Sequence, residues 1–578
     1  MDNIGQSFTI LDYSVIAIVV LVFLLISCWA GMKDNSNIFS QSEKLSWWLA
    51  SASVLMIFWN PSFDMMNTAL VLESGYSGLW LTKDVLLTMG IGTILFAPMW
   101  GRLNITTDNQ LISLRYSGIG AKILQNFRAI YVGFFVVAFL GSIYILAIKK
   151  ILEAIFPISD SQFFLFAFIG IIILISRNTF RKKVRTDAFI AILFLLVLAP
   201  AIYFLLHGMG GWESMESSLS SSKADKLSLL AVDSHSGFNF DILIFLFVQW
   251  WSVRILDYSN ASVQRYLAVK DPWAAFKSIF IPVLVLSILF AAFSFVWDSA
   301  LLKADGSTDG EELFVQLWLA YAPTGLKGLL LICLIFGVMT TLESSLNWGA
   351  SLVTVDVIKG HLFPKINEKS IKIISYSVMA LIGILSLVIA ANSNYLIKLQ
   401  KLLFSMSAGV GLVFILRWFW WRINAWSQLS AMLASLIYTL LYELAYVEFA
   451  AFQNWADQSA ELLQLSYYPF KIIILTITVT ITWLIVTFLT PPDDEQQLKN
   501  FVKKTQTSGF WNFKIDHAYF WKEKLILIFI ISLVSVLPMF IITQLKFGNT
   551  FLGFSLLGIW LFLSVLVFRE MKRFLKRI

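Results

Sequence analysis

Long apolar stretches separated by short polar interruptions set the rhythm of this chain. Runs of roughly 20 predominantly apolar residues, the length a hydrocarbon core demands of a helix, recur about fifteen times. They lie near residues 9–30, 45–72, 77–100, 122–150, 161–178, 183–208, 237–259, 273–298, 323–356, 370–392, 396–421, 426–447, 468–491, 523–545 and 549–570. Each predicts a helix, because only a helix or a closed barrel satisfies its own N–H and C=O groups where water is absent. No basic residue precedes the first run, so it lacks the charged leader of a cleavable signal peptide and is expected to stay as a helix.

Two runs break the pattern. "FWNPSFDMMN" (Phe58–Asn67) and "WWSVRILDYSN" (Trp250–Asn260) place polar and charged residues mid-span. Pro61 has no N–H and pushes Asn60 away from helical angles, so the first of these helices should break near Trp59–Ser62. The ten crossings from 45 to 421 compare as two groups of five, each opening on one interrupted segment. Broken helices at matching positions of two halves point to an inverted-repeat transporter whose freed carbonyls coordinate an ion near the midplane. A simple proline kink is the plainer alternative.

A third stretch, "GVMTTLESSLNWGASLVTVD" (Gly337–Asp356), is polar for another reason. On a helix, Thr340, Ser344, Asn347, Ser351 and Thr354 are spaced by four, three, four and three and line one face, with Thr341 beside it and Glu343 within reach of Thr340. Neutral oxygens in such numbers can replace the water of a weakly bound monovalent cation. Any single hydroxyl could instead bond back to its own helix or join two helices.

Composition settles the solvent. With 578 residues, 58% hydrophobic and only 14% charged, the chain lies outside the range of soluble domains and reads as a multi-pass membrane protein whose partner is the lipid bilayer. Cys28 and Cys333 lie inside apolar runs, away from any metal-ligand spacing. His207, His235, His361 and His517 fall at or beyond helix ends, which removes metal-dependent intramembrane hydrolysis. The net charge of +7 needs no nucleic acid to explain it: the basic residues cluster at 177–185, 499–524 and 569–577, and the acids in alternate loops. That is the positive-inside pattern. It predicts an amino terminus outside, a carboxyl terminus in the cytoplasm and a place in the cell (inner) membrane, with Lys149 and Lys150 as exceptions that snorkel.

"MTTLESSLNWGASLVTVDVIK", "SVQRYLAVKDPWAAFKS", "TTDNQLISLRYSG" and "PPDDEQQLKNFVKKTQTSGFWN" together resemble the sodium/solute symporter family, from about residue 10 to about 515. The resemblance is closest to longer members with an extended carboxyl-terminal part. It implies an all-α membrane protein of the leucine-transporter type, a five-plus-five inverted-repeat core with extra N- and C-terminal helices and about 15 transmembrane helices. The expected divisions are an N-terminal extra helix and loop at 1–44, the first repeat at 45–208, an extracellular loop at 209–236 and the second repeat at 237–421. Additional helices follow at 422–490, then a cytoplasmic loop at 491–522 and a C-terminal helix pair at 523–578.

The resemblance further implies Na+ as coupling ion, held by the Met56 and Trp59 carbonyls, the Gly337 carbonyl and the Thr340 and Thr341 hydroxyls. A possible second cation site falls on Asp187, Thr340, Glu343 and Ser344; Glu343 stands where relatives carry a small hydroxyl residue, so it could bind the ion more strongly or take a proton in its place. Asp187 could equally be a solvated carboxylate beside Lys183 and Arg185. Substrate residues are expected among Asn60, Ser62, Phe63, Asp64, Lys83, Asp84, Trp251, Ser252, Arg254, Leu256 and Asp257. Ile255 and Leu256 stand where sugar-carrying relatives place an aromatic pair, and Lys83 where a tyrosine occurs, which weakens a sugar reading.

From the residues themselves, Asp64, Lys83, Asp84, Arg254 and Asp257 are ionisable groups in or beside spans, each costing about 2.5–3.5 kcal/mol if unpaired at the bilayer centre. They must be paired or hydrated, and an Arg254–acid pair is one solution. The solute would be small and polar: a sugar, an amino acid or a carboxylate, the last two better suited to Lys83 and Arg254. The function expected is sodium-coupled import by alternating access, not enzymatic. A proton-coupled or uncoupled carrier and a transporter-like solute sensor are the alternatives. The oligomeric state is not legible. The cytoplasmic stretch Pro491–Trp521 runs from acidic to basic and ends in "GFWNFKIDHAYFWKEK", whose aromatics and lysines suit a segment at the membrane interface, with an ordinary connecting loop the plainer expectation. "RWFWWR" (Arg417–Arg422) is expected as an aromatic belt, and the last two helices as support for packing or oligomers.

Overall fold

The computed structural model describes residues 8–32, 44–176, 180–230, 238–254, 257, 259–305, 308–514 and 521–577. Among these the chain is helical throughout, with two isolated β-bridges, Leu45 to Val269 and Trp420 to Phe510. Among the described residues, eleven helices are long and apolar enough to cross a membrane, and Trp47–Phe58, Asp160–Ile172 and Asp241–Ser252 are shorter apolar ones.

Helix α1 (Ile10–Met32) precedes two sets of helices. The first set begins with α2 (Trp47–Phe58) and α3 (Pro61–Ser74), continues through α4 (Trp80–Leu95) and α5 (Gly118–Glu153), and ends with α6 (Asp160–Ser176) and α7 (Phe180–Gly208). A short helix, α8 (Trp212–Ser222), follows. The second set begins with α9 (Asp241–Ser252) and the one-turn α10 (Val263–Leu267) and continues with α11 (Pro272–Lys303). After the largely buried α12 (Gly310–Tyr321) come α13 (Leu326–Leu362), α14 (Glu368–Ala391), α15 (Leu396–Ser405) and α16 (Gly411–Leu416). The run expected as one crossing over 396–421 is thus two short helices, with Gly409 taking a positive φ of 79° at the turn between them.

Beyond the two sets lie α17 (Ala425–Glu448), α18 (Ala450–Leu462), α19 (Tyr467–Leu489), α20 (Glu495–Thr505), α21 (Trp521–Phe547) and α22 (Thr550–Arg577). Where a plain connecting loop was the simpler expectation, α20 is an amphipathic helix. The Asp494 side chain caps it by accepting from the Gln497 N–H at 2.9 Å, and Leu498, Phe501 and Val502 are buried. Of the aromatic segment that follows, 515–520 lie outside the described residues.

The extra helices are tied to the core by specific contacts. The Asp12 carboxylate of α1 accepts from the N–H groups of Gly325 (2.7 Å) and Gly328 (3.1 Å) at the start of α13, where the helix leaves donors unpaired. The α21–α22 hairpin packs α21 against α4 and α11. Lys546 near the end of α21 pairs with the buried Asp298 and donates to Ser294 (3.0 Å), while the Tyr76 hydroxyl donates to the same carboxylate at 2.8 Å. Lys150, expected to snorkel, is buried and paired with Asp309 (2.6 Å) and Glu311 (3.0 Å). Glu311 also accepts from the N–H groups of Leu396 and Ile397, both at 3.0 Å, which caps α15.

Gly90 lets α21 approach α4 closely: a Cβ there would lie 2.3 Å from the Ser535 hydroxyl and 3.2 Å from Ile531. Gly558 on α22 faces open space within 4 Å. Gly90→Leu should therefore destabilise the purified protein by about 1–3 kcal/mol, the usual cost of overpacking, seen as a lower melting temperature. Gly558→Leu should melt with the parent.

Candidate functional site

Helix α2 ends where its hydrogen-bonding ladder runs out of donors. Trp59 (φ −105°, ψ 117°) and Asn60 (φ −146°, ψ 152°) are extended. The donor that would serve the Ile57 carbonyl belongs to residue 61, a proline with none. The Phe63 N–H, which would serve Trp59 in a continuous helix, donates instead to the Asn60 carbonyl at 3.1 Å. Asn60 then caps α3, its side-chain oxygen accepting from the Ser62 N–H at 3.0 Å and from the Ser62 hydroxyl.

Helix α13 supplies the missing partner. The Thr341 hydroxyl donates to the Met56 carbonyl at 2.9 Å and lies 3.1 Å from the Gly337 carbonyl, which the Thr340 hydroxyl also reaches at 3.1 Å. Glycine at 337 permits this approach, since a Cβ there would meet the Pro61 ring at 2.9 Å. The structure thus links the Met56, Gly337, Thr340 and Thr341 oxygens in one chain of contacts beside the unwound Trp59.

The polar face of α13 continues beyond this cluster, and most of its hydroxyls bond back to their own helix. Ser344 donates to Thr340 O (2.8 Å), Ser351 to Trp348 O (2.7 Å) and Thr354 to Ala350 O (2.6 Å). Facing them is α10, whose Arg265 donates to Ser344 (2.9 Å) and Gln264 to Ser351 (3.3 Å). Asp187 is fully buried rather than solvated. It accepts from Lys183 (3.3 Å) and from Ser53, with Arg265 at 3.6 Å. Glu343, three residues after Thr340, lies 3.7 Å from Lys183.

Between the first break, α4, α5, α11 and α13 lies a cavity of about 200 Å³. A second of about 230 Å³ shares Phe58, Phe63, Val85, Leu140, Arg254, Asn260 and Trp348 with it and extends toward α15 and α16. Of the residues expected to touch a solute, Phe63, Asp64, Lys83 and Arg254 line the first cavity, and Trp59, expected at the ion site, lines it too. Asp64 accepts from Trp59 Nε1 (3.0 Å) and Asn67 (3.1 Å), with the Lys83 ammonium 3.7 Å away. That ammonium also sits over the rings of Trp297 (5.3 Å) and Phe290 (5.9 Å). Asp84 lies just behind the wall: Arg254 pairs with it through two nitrogens and Gln249 donates at 2.9 Å.

The remaining residues of that set point elsewhere. Trp251 donates back to the Phe247 carbonyl (2.6 Å), and Ser252 meets Thr476 of α19 (3.2 Å). Asp257 is sealed in a separate pair with Arg417 (2.5 and 3.0 Å), with Trp418 Nε1 donating at 2.7 Å. The "RWFWWR" stretch expected as an aromatic belt is therefore partly a core element, Arg417 and Trp418 being fully buried. Ile255 and Leu256 lie outside the described residues. Tyr144, Asn260, Phe290, Phe293, Ser345 and Trp348 line the cavity without having been foreseen. Only the i, i+3 spacing of Phe290 and Phe293 and the nearness of Ser345 and Trp348 to the paired threonines marked them in the sequence.

The oxygen cluster and the cavity thus meet at the break between α2 and α3. A model of the "Sodium:solute symporter family" matches residues 45–435, and the chain belongs to that family. The sodium/glucose cotransporter of Vibrio parahaemolyticus is 23% identical over 485 residues, covering 76% of this chain and 86% of that one. Human sodium/myo-inositol cotransporter 2 is 28% identical over 200 residues, covering 32% of this chain and 28% of that one. A Na+-coupled sialic acid symporter, solved in a substrate-bound outward-open state, superposes with a TM-score of 0.65 at 18% identity, covering 84% of this chain and 99% of that one. The fold is of the leucine-transporter type. The protein is a multi-pass membrane transporter, not an enzyme, and sodium is its coupling ion.

The Asp257–Arg417 pair gives a test of which charges hold the fold. Arg417→Met leaves a buried carboxylate without its cation and should cost about 3–5 kcal/mol, with much of it recovered in the Asp257→Asn/Arg417→Met double variant. Melting of the purified proteins reads both.

Proposed function

We propose that this carrier imports a small organic solute bearing a carboxylate, driven by sodium bound between the Met56 and Trp59 carbonyls and the Gly337, Thr340 and Thr341 oxygens. The observation that carries the solute class is the Lys83 ammonium in the cavity wall. Its nearest carboxylate, Asp64, stands at 3.7 Å and is already engaged by Trp59 and Asn67. Lys83 therefore has N–H groups to offer an incoming acceptor. Arg254, by contrast, is committed to Asp84. Aromatic walls from Trp59, Phe63, Phe290 and Phe293 suit an apolar body behind the charged group. The relatives named above are cotransporters of glucose and myo-inositol; a lysine facing the cavity favours an anion over such uncharged polyols.

Sodium fits the first site because its ligands are neutral dipoles, which replace the water of a monovalent ion without trapping it. Closing the cluster around the ion would draw α2 and α3 against α13, and the solute would then complete the wall at Lys83. The basic clusters at 177–185, 499–524 and 569–577 support a cytoplasmic carboxyl terminus and an outward amino terminus in the cell membrane.

The test is a thermal-shift screen of the purified full-length protein against carboxylates, amino acids, hexoses and polyols, in sodium and in potassium. A ligand at about 100 times its Kd adds about 2.7 kcal/mol to the folded state. Carboxylates should stabilise in sodium only, and Lys83→Met should abolish that shift. Hexoses or polyols that stabilise the parent and Lys83→Met alike would contradict the solute class. For the ion, Thr341→Ala should raise the sodium concentration for half-maximal stabilisation by at least about tenfold, or about 1.4 kcal/mol. Thr341→Ser, which keeps the oxygen, should stay close to the parent.

A further inference from the structure

Lys183 stands where a second cation would need to be. Reaching from α7, its ammonium donates to the Thr340 carbonyl at 2.6 Å and to one Asp187 oxygen at 3.3 Å, and lies 3.7 Å from Glu343. The other Asp187 oxygen takes the Ser53 hydroxyl and faces Arg265 at 3.6 Å. Arg265 itself donates to the Ser344 hydroxyl at 2.9 Å. Asp187, Thr340, Glu343 and Ser344 thus all turn an oxygen toward a positive side chain of the chain itself.

The charges close. Lys183 and Arg265 balance Asp187 and Glu343, and of the four only Glu343 keeps any side-chain exposure, 13%. Without Glu343 the two cations would outnumber Asp187; its carboxylate restores neutrality, which a resident ammonium requires at all times and a transient ion does not. An added alkali ion would make the group net positive in a setting with little water to screen it.

We propose that Lys183 is a tethered cation that permanently fills the second position, so that this carrier couples its solute to one sodium only. The ammonium also joins α7 to α13 with no exchangeable ion between them. The count of one rests on the proposed sodium site at Met56 and Thr341; the exclusion at Lys183 does not.

Equilibrium binding of radioactive sodium to the purified full-length protein, with potassium holding ionic strength constant, tests both parts separately. The parent should bind one sodium per chain with a Hill slope of one. Lys183→Met, which leaves the group one negative charge in excess and removes the ammonium, should bind one more than the parent. Lys183→Arg should match the parent. Two sodium ions in the parent, or equal counts in the parent and Lys183→Met, would overturn the proposal. The parent count requires no variant, so two ions there decide against it even if Lys183→Met fails to fold. No sodium in the parent with one in Lys183→Met would sink the reading of the first site and uphold the tether.

Discussion

A helix interrupted inside a membrane has to find partners for the carbonyls it sets free, and everything else about this site follows from how α2 does so. Pro61 removes one donor outright and redirects its neighbours. The Met56 carbonyl at the end of α2 is then served by a hydroxyl 285 positions along the chain, Thr341 reaching it at 2.9 Å. In water such an arrangement would matter little. In hydrocarbon, where each unsatisfied group costs several kcal/mol, it ties α2 to α13 and concentrates oxygen dipoles at one point.

The charged groups obey the same constraint. Four buried carboxylates are each met by a cation: Asp84 by Arg254, Asp257 by Arg417, Asp187 by Lys183 and Arg265, Asp298 by Lys546. Buried pairs of this kind add little net stability, but removing one member is expensive. They therefore act mainly to fix which helix faces which. Lys83 with Asp64 is the loosest of these pairs at 3.7 Å, and it is the one that lines the cavity. Looseness at that place is what a solute site requires, because a fully satisfied ammonium has nothing to offer a ligand.

Much of this was legible in the chain. Hydrophobic run length located the helices, and Asn60–Pro61 located the break to within a residue, because both rest on local chemistry that packing does not override. The paired threonines stood out for the same reason: hydroxyls in a greasy helix are conspicuous. What was not legible depends on partners distant in sequence. Nothing local distinguishes Asp257, sealed against Arg417, from Asp64, which faces the cavity. The tryptophans at 418–421 looked like a belt because composition cannot tell a helix end in lipid from one folded under α20. Lys183 read as part of a basic loop, and only its 2.6 Å contact with the Thr340 carbonyl shows it deep among the helices.

The central claim is that an alkali ion joins the broken α2–α3 segment to the threonines of α13. Hydrogen–deuterium exchange of the full-length protein, compared in sodium and in potassium, addresses it most directly, since an ion bridging the two elements must slow local opening of both. Sodium should protect peptides covering 47–74 and 326–351 in the parent and leave the Thr341→Ala variant unchanged. Equal exchange in the two salts, or protection that survives loss of the Thr341 hydroxyl, would contradict it.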